Sequence, residues 1–554
     1  MLITSNGHEK RDGVENADDP RGDIVRMGNN LQIGHARSPL LNPLEKQLAN
    51  PLSQQAGKCL IIPQAGEEEN ESLRALYDNE TLDPENWHDF RVQAHQMLDD
   101  MLGYTENLRD RPVWQAIPAD VRAVFQRPLP AQPGDLAAAH AIFMQDVLPY
   151  AIGNAHPGFM GWVHGGGTPV GMLAEMLSAG LNANLGGREQ IPVEVERQLL
   201  RWMRDLFAFP DTASGLFVTG TSMANFIAVL VARTAAAGLA AREQGIPAGL
   251  VAYTSASAHV SIAQAMDMAG IGTLSLRKIA LNAQYRMDTA ALEAAIEQDK
   301  AAGMTPFMIA ATAGTVDVGA IDALDEIADM AERRGIWFHV DGAYGALGML
   351  TKDIAPLLKG IERADSIAFD FHKWGQVPYD AGYILVRDGK LHQDTFASPA
   401  AYLQRGARGM AAGSPWPCDF GPDLSRGFRA LKTWFTLQVY GSEKLGQVIS
   451  NTCALARYLQ QRVETTPVLE LLAPVALNIV CFRYRSTDSI NADIVVAIQE
   501  SGIAAPSTTT IKGQLAIRAA IVNHRTRACD IDALIDAVLA FGSSMVCNDR
   551  AGLT

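Results

Sequence analysis

From about residue 170 to residue 400 the chain alternates short apolar runs with longer helix-periodic ones, and this alternation constrains the fold most. The runs 216-LFVT-219, 249-GLVAY-253, 307-FMIAAT-312, 336-IWFHVD-341, 366-SIAF-369 and 382-GYILV-386 read as strands. Helical stretches such as 223-MANFIAVLVARTAAAGLAAREQ-244 and 322-DALDEIADMAERRG-335 lie between several of them. Strand–helix–strand alternation predicts an α/β fold with a mostly parallel sheet covered on both faces. Ligand-binding residues then belong at the carboxyl ends of the strands. The chain has 554 residues, 48% hydrophobic and 19% charged, enough apolar material for a large core and incompatible with wholesale disorder.

The flanks differ from the middle. Residues 1–80 are polar with little periodicity, including 67-EEENES-72, and are expected to be a poorly ordered extension. From about 84 the pattern turns helical, with Trp87, Phe90, Val92, Ala94, Met97, Leu98 and Met101 on or near one face, so 81–170 reads as a helical N-terminal segment. A large domain is expected over 171–440. After it come long helices (441–465), apolar runs at 477-LNIVCFRYR-485 and 515-LAIRAAIVN-523, and a last helix at about 529–542, a smaller α+β domain over 441–554.

Several function classes are excluded. A net charge of -15 leaves no basic footprint for nucleic acid. No apolar window reaches the length of a membrane span, and MLITSNGHEKRDGVENADDP lacks the apolar core of a secretory signal. Cys59, Cys418, Cys453, Cys481, Cys529 and Cys547 are far apart with no CxxC pair, so free thiols in a cytoplasmic protein are expected, with neither a disulfide scaffold nor a metal site.

Five local features point to one chemistry. In 219-TGTSMAN-225, after a strand and opening a helix, small hydroxyl residues can leave backbone N–H groups to cradle a phosphate; read alone, it is equally an ordinary capped strand–turn–helix. His259, just past the strand 249–253, offers a flat ring that can stack on an aromatic cofactor or simply cap a helix. Thr315 follows the strand 307–312 and can offer its hydroxyl to the crevice, while Asp322 reads as a helix N-cap. Asp341 ends an apolar strand, where a carboxylate needs a partner such as a pyridinium N–H or a structural cation. Lys373, in 365-DSIAFDFHKWG-375, sits where burial favours a neutral, imine-forming amine. Phosphate cradle, stacking ring, carboxylate and lysine together meet the requirements of pyridoxal 5'-phosphate.

In these motifs the chain resembles the pyridoxal-phosphate-dependent group II amino-acid decarboxylases, the family of aromatic-L-amino-acid, histidine, glutamate and sulfinoalanine decarboxylases. The likeness spans about residues 86–540. It includes 89-DFRVQAHQMLDDMLGY-104, 156-HPGFMGW-162, 339-HVDGAYG-345, 371-FHKW-374, 426-RGFRALKTW-434 and 518-RAAIVNHRT-526. The resemblance implies a fold type I (aspartate-aminotransferase-like) homodimer, with the active site at the interface and the helical segment near 86–150 wrapping the partner. It makes Lys373 the imine-forming lysine, His259 the stacked ring and Asp341 the partner of the ring nitrogen. Ala343 becomes the small residue under the ring, Thr221 and Ser222 the phosphate turn, Thr315 a cofactor contact and His372 the histidine before the lysine. Asp370 stands where some members carry a phosphate-contacting Asn.

The same resemblance makes Tyr402, in 399-PAAYLQRGARGMAAG-413, the proton donor on a mobile Gly-rich loop, and so favours simple decarboxylation. The substrate segment 156-HPGFMGWVHGGG-167 carries Gly161 and Trp162 where acid-specific relatives have Asn-Gln, and Val163, His164 and Gly165 where animal aromatic-specific relatives have several aromatic residues and a Pro-Thr, so it follows neither pattern. Phe159, Trp162 and His164 provide ring surface for an aromatic side chain, and Arg188 is the nearest candidate for a second carboxylate. An aromatic amino acid is therefore the expected substrate. The alternatives are an acidic amino acid, or an aldehyde synthase or aminotransferase on the same fold.

Overall fold

The computed structural model describes residues 81–398 and 404–552. The expected extension 1–80 lies outside the described residues. Asn86–Thr554 forms one compact unit built around two sheets.

The strands in chain order are β1 (Phe159–Met160), β2 (Ser214–Val218), β3 (Leu250–Ser255), β4 (Leu276–Ile279), β5 (Thr305–Thr312), β6 (Trp337–Asp341), β7 (Ser366–Asp370), β8 (Gly382–Val386), β9 (Leu469–Leu471), β10 (Ile479–Tyr484), β11 (Ala505–Ile511) and β12 (Gln514–Ala520). The large sheet has the order β2-β8-β7-β6-β5-β3-β4. All six strands read from the sequence are in it, with ends shifted by a residue or two. The seventh, β4, is an edge strand paired only with β3; Arg277 and Lys278 at its centre break the apolar run that would have revealed it.

Only β8 runs against its neighbours, antiparallel to both β7 and β2. The cause is connectivity. Parallel neighbours need a crossover, usually a helix, whereas the chain goes from β7 to β8 through residues 371–381 alone and must return antiparallel. That short connection carries His372, Lys373 and Trp374. Successive side chains of β8 alternate between two covered faces: Tyr383 and Leu385 join one core cluster, Ile384 and Val386 the other. This two-sided burial explains the near-continuous apolar runs. The helix Thr221–Ala237 covers one face with Ala224, Ile227, Ala228 and Val231.

The second sheet, β1-β11-β12-β10-β9, packs on the helices Asp488–Glu500 and Ala528–Gly552 through Ile494, Ile498, Ile531, Leu534 and Val538. Three of its strands escape a pattern search because β1 has two residues, β9 has three and β11 is mostly polar, APSTTTI. Its edge strand β1 comes from far upstream and pairs in parallel with β11, Phe159 opposite Ala505. The stretch 81–170 is thus not helical throughout. A long helix, Ala430–Glu464, breaks at Gly441, whose φ of 74° few other residues adopt.

Two further expectations are corrected. Asp322 does not cap the helix Leu324–Arg334, whose N-cap is Ala323. Its carboxylate instead accepts the N–H groups of Met287 (2.6 Å) and Thr312 (2.8 Å), and burial pushes its pKa up to about 6. The helix Trp87–Glu106 forms as expected but has no buried residue; Trp87 and Val92 are 51% and 61% exposed.

Arg426 locks β2 to the elements around it. Its guanidinium is 1% exposed, bonds Glu196 at 2.5 and 3.0 Å, and donates to the carbonyls of Leu185 and Phe217. Breaking such a pair strands a buried charge, which costs about 3–5 kcal/mol. Arg426→Met should therefore destabilise the protein by roughly that amount in urea unfolding, and Glu196→Leu in the same chain should restore part of it.

Candidate active site

The carboxyl ends of β6 and β7, the start of the helix Thr221–Ala237 and the connection 371–381 meet in one crevice. Asp341 closes β6 and is 3% exposed. Its Oδ1 accepts the Ala343 N–H (3.1 Å) and its Oδ2 an N–H of the Asn225 side chain (2.9 Å). Burial drives its carboxyl above the usual range; the Asn225 hydrogen bond and the charges of Lys373 and His259 pull the other way.

Asp370 closes β7 and is 2% exposed. One oxygen accepts the Thr221 N–H at 2.7 Å and the other lies 2.9 Å from Lys373 Nζ. This corrects the expectation of a bare N–H cradle, because the helix's first N–H is taken up by Asp370. The Thr221 hydroxyl oxygen is buried without a partner, and Ser222 beside it is exposed. His372 Nδ1 accepts the Ala381 N–H (3.1 Å), so its proton sits on Nε2, 3.5 Å from Asp370. Burial holds the His372 pKa down to about 4, which keeps the ring neutral.

His259 is the N-cap of the helix Val260–Met268, and its exposed ring is pinned through Nδ1 to the Ser261 N–H and hydroxyl. Ala343, half-buried, accepts the Asp370 N–H on its carbonyl. Thr315 is wholly buried, and its hydroxyl accepts the Ala320 N–H (3.0 Å) inside its own turn. Tyr402 lies outside the described residues.

The three substrate candidates form one group of rings. His164 stacks on Phe159 (5.7 Å, 10°), and Trp162 lies 6.0 Å from His164. Tyr379, not singled out from the sequence, links them to the site, standing edge-on to His164 (5.7 Å) and 4.2 Å from the His372 ring. Burial, reinforced by the Lys373 charge, lowers the His164 pKa. Arg188 does not face this group; its guanidinium lies over the Trp416 ring at 4.4 Å.

Sequence reasoning also missed what holds this segment. Asn523 donates to the carbonyls of Asn154, Ala155 and His156, and Gln376 bridges the Gly166 N–H to the Val522 carbonyl. The Gly165 N–H donates to the His372 carbonyl (3.1 Å). Asn225 was detectable, being the one polar residue in the stretch 223–232 of that helix and one turn after Thr221.

Comparison with known proteins agrees with this geometry. Residues 118–485 match the pyridoxal-dependent decarboxylase conserved domain. The chain belongs to the pyridoxal-dependent decarboxylase family. It is 32% identical over 453 residues to the aromatic-L-amino-acid decarboxylase of Bacillus atrophaeus, covering 79% of this chain and 92% of that one. To the L-2,4-diaminobutyrate decarboxylase of Rhizobium meliloti (strain 1021) it is 33% identical, over 74% of this chain and 83% of that one. The structure of Oryza sativa TDC with PLP and tryptamine aligns with a TM-score of 0.76 and 24% identity, over 84% of this chain and all of that one.

This decarboxylase is accordingly a fold type I α/β enzyme that uses pyridoxal phosphate to remove the carboxyl group of an amino acid. The residues present fit that cofactor. The unpartnered Thr221 hydroxyl lies at a helix start, where an anion is favoured. A buried carboxylate, a primary amine and an imidazole line the same crevice. No helix among the described residues is long and apolar enough to cross a membrane.

Gly165 is required by close approach, since a Cβ there would lie 2.5 Å from the carbonyl oxygens of both His372 and Lys373. Gly165→Ala should cost about 1–3 kcal/mol in denaturant unfolding. It should also speed loss of pyridoxal phosphate on dialysis, because the displaced backbone carries Lys373.

Proposed function

We propose that this decarboxylase converts an aromatic L-amino acid to its amine and carbon dioxide. The observation that carries the reading is the continuous strip of rings, Trp162–Phe159–His164–Tyr379–His372, that ends beside Lys373. Such a surface favours a flat apolar side chain by stacking. The one arginine that sequence reading offered for a second carboxylate, Arg188, is engaged on Trp416.

In this reading Lys373 supplies the amine that carries the cofactor, and Asp341 faces its ring nitrogen. His259 lies over the ring, Ala343 leaves room beneath it, and Thr221 and Ser222 receive the phosphate. Bound pyridoxal phosphate supplies the electron sink for the departing carboxyl group. Asp370 holds the Lys373 ammonium through its carboxylate at 2.9 Å and so sets where the amine stands. His372, kept neutral by burial, bridges Asp370 and Tyr379 and positions the rings around the substrate. Tyr402 delivers a proton to the substrate's α-carbon once the carboxyl group has left. The enzyme is read as a homodimer. The helix Trp87–Glu106 supports this, because its Trp87, Phe90, Val92 and Leu102 are left exposed within the protomer.

Three measurements test these assignments. Borohydride reduction of the holoenzyme should abolish its visible band and leave the cofactor on Lys373; recovery on any other lysine contradicts the site. A panel of amino acids scored for carbon dioxide release should give higher kcat/KM for aromatic substrates than for glutamate, aspartate or 2,4-diaminobutyrate. Trp162→Ala should lower the aromatic values by about 2–10-fold, the worth of an aromatic contact. Preference for an acidic or diamino substrate refutes the reading. In Tyr402→Phe, amine output should fall about 10²–10⁴-fold, as for loss of a general acid. Cofactor should be retained and oxygen uptake should appear; unchanged amine yield without oxygen uptake removes Tyr402 from the chemistry.

A further inference from the structure

Behind Asp341 lies a chain of buried polar groups whose donors and acceptors can be assigned one by one. Asn225 is completely buried, and its amide NH₂ donates to Asp341 Oδ2 (2.9 Å) and to Ser261 Oγ (3.0 Å). Its carbonyl oxygen must then accept from His339 Nε2, 2.9 Å away. His339 is also completely buried, and burial lowers its pKa to about 3, so the ring is neutral and carries its one proton on Nε2. Its Nδ1 therefore accepts the Ser366 hydroxyl (2.9 Å), whose oxygen accepts the Trp337 indole N–H (2.9 Å).

The other branch is equally determined. Ser261 Oγ accepts from Asn225 and so gives its own proton to His259 Nδ1 (2.9 Å), which also accepts the Ser261 N–H (3.2 Å). The His259 proton is thereby left on Nε2. Every bond from Trp337 onward has one direction, and both branches end at groups lining the cofactor crevice.

We propose that Asn225 is a positioning residue that couples the two ring-holding groups: a single amide, oriented by neutral His339, holds Asp341 as the anion and selects the His259 tautomer. The proposal rests on the reading in which Asp341 faces the ring nitrogen and His259 its plane. Both Asp341 oxygens meet N–H donors, from Asn225 and Ala343, so neither has an acceptor for a carboxyl proton. This opposes the burial that favours the neutral acid. The charged or titratable groups facing Asp341 are Lys373, from the 371–381 connection, and His259, from the start of its helix. The strand neighbours opposite it, Thr312 on β5 and Ala368 on β7, carry no charge.

The test uses apoenzyme reconstituted with ring-¹⁵N pyridoxal phosphate. The ring-nitrogen chemical shift is followed against pH in the unaltered protein, Asn225→Ala, Asn225→Leu and Ser261→Ala. In the unaltered protein the nitrogen should stay protonated. Asn225→Ala and Asn225→Leu both remove the donor to Asp341, the first by truncation and the second at nearly unchanged volume. Both should bring ring deprotonation into the accessible range and weaken cofactor binding about 10–100-fold, the worth of a hydrogen bond to a charged group. Ser261→Ala cuts only the His259 branch, so it should leave the nitrogen protonated and change the induced circular dichroism of the cofactor band.

A ring nitrogen that stays protonated in both Asn225 variants, with unaltered cofactor affinity, overturns the proposal. So does a Ser261→Ala dichroism identical to that of the unaltered protein. If Asn225→Leu does not fold, the smaller Asn225→Ala decides the first branch. An unprotonated nitrogen in the unaltered holoenzyme overturns the Asp341 assignment, and the proposal with it.

Discussion

The rest of the site depends on a carboxylate kept almost out of water at the end of a central strand. Asp341 is 3% exposed, and an unpaired charge in such a place is expensive. The protein meets that cost only in part, with two N–H donors and the nearby charge of Lys373. In the proposed reading a cationic ring nitrogen supplies the remaining compensation, and the site is electrostatically incomplete without its cofactor.

Lys373 is placed by topology. The short connection from β7 to β8 forces the one reversed strand of the large sheet and suspends His372-Lys373-Trp374 over the strand ends. That connection is in turn held by distant chain. Gly165 brings the segment 156–167 against the His372 and Lys373 carbonyls, and Asn523 and Gln376 tie the same segment to the C-terminal sheet. The two sheets therefore meet at the active site, with β1 carrying the aromatic strip from one to the other.

Much of this was legible in one dimension. Strands buried on both faces give unbroken apolar runs, so the large sheet showed itself except at its polar edge, β4. HVDGAYG and FHKW were recognisable because the imine-forming and ring-nitrogen roles proposed for them allow few residue types at those points. The polar strand β11 and the three-residue β9 carry no such signal, since their pairing partners lie elsewhere in the chain.

Local sequence therefore determined the side chains proposed to carry the chemistry: Asp341 and Asp370 close strands, His259 caps a helix, and His372 and Lys373 follow β7 directly. Only the tertiary structure decided how their hydrogen bonds are shared. Thr315 turns inward to Ala320, Asp322 ties β5 to the Met287 segment instead of capping a helix, and Asp370 takes the Thr221 N–H expected to face a phosphate. Asn225, His339 and Tyr379 enter the site by the same route. The reason is physical. A buried donor or acceptor must be satisfied by whatever group the fold brings within about 3 Å, and that neighbour is set by strand order and packing, not by sequence spacing.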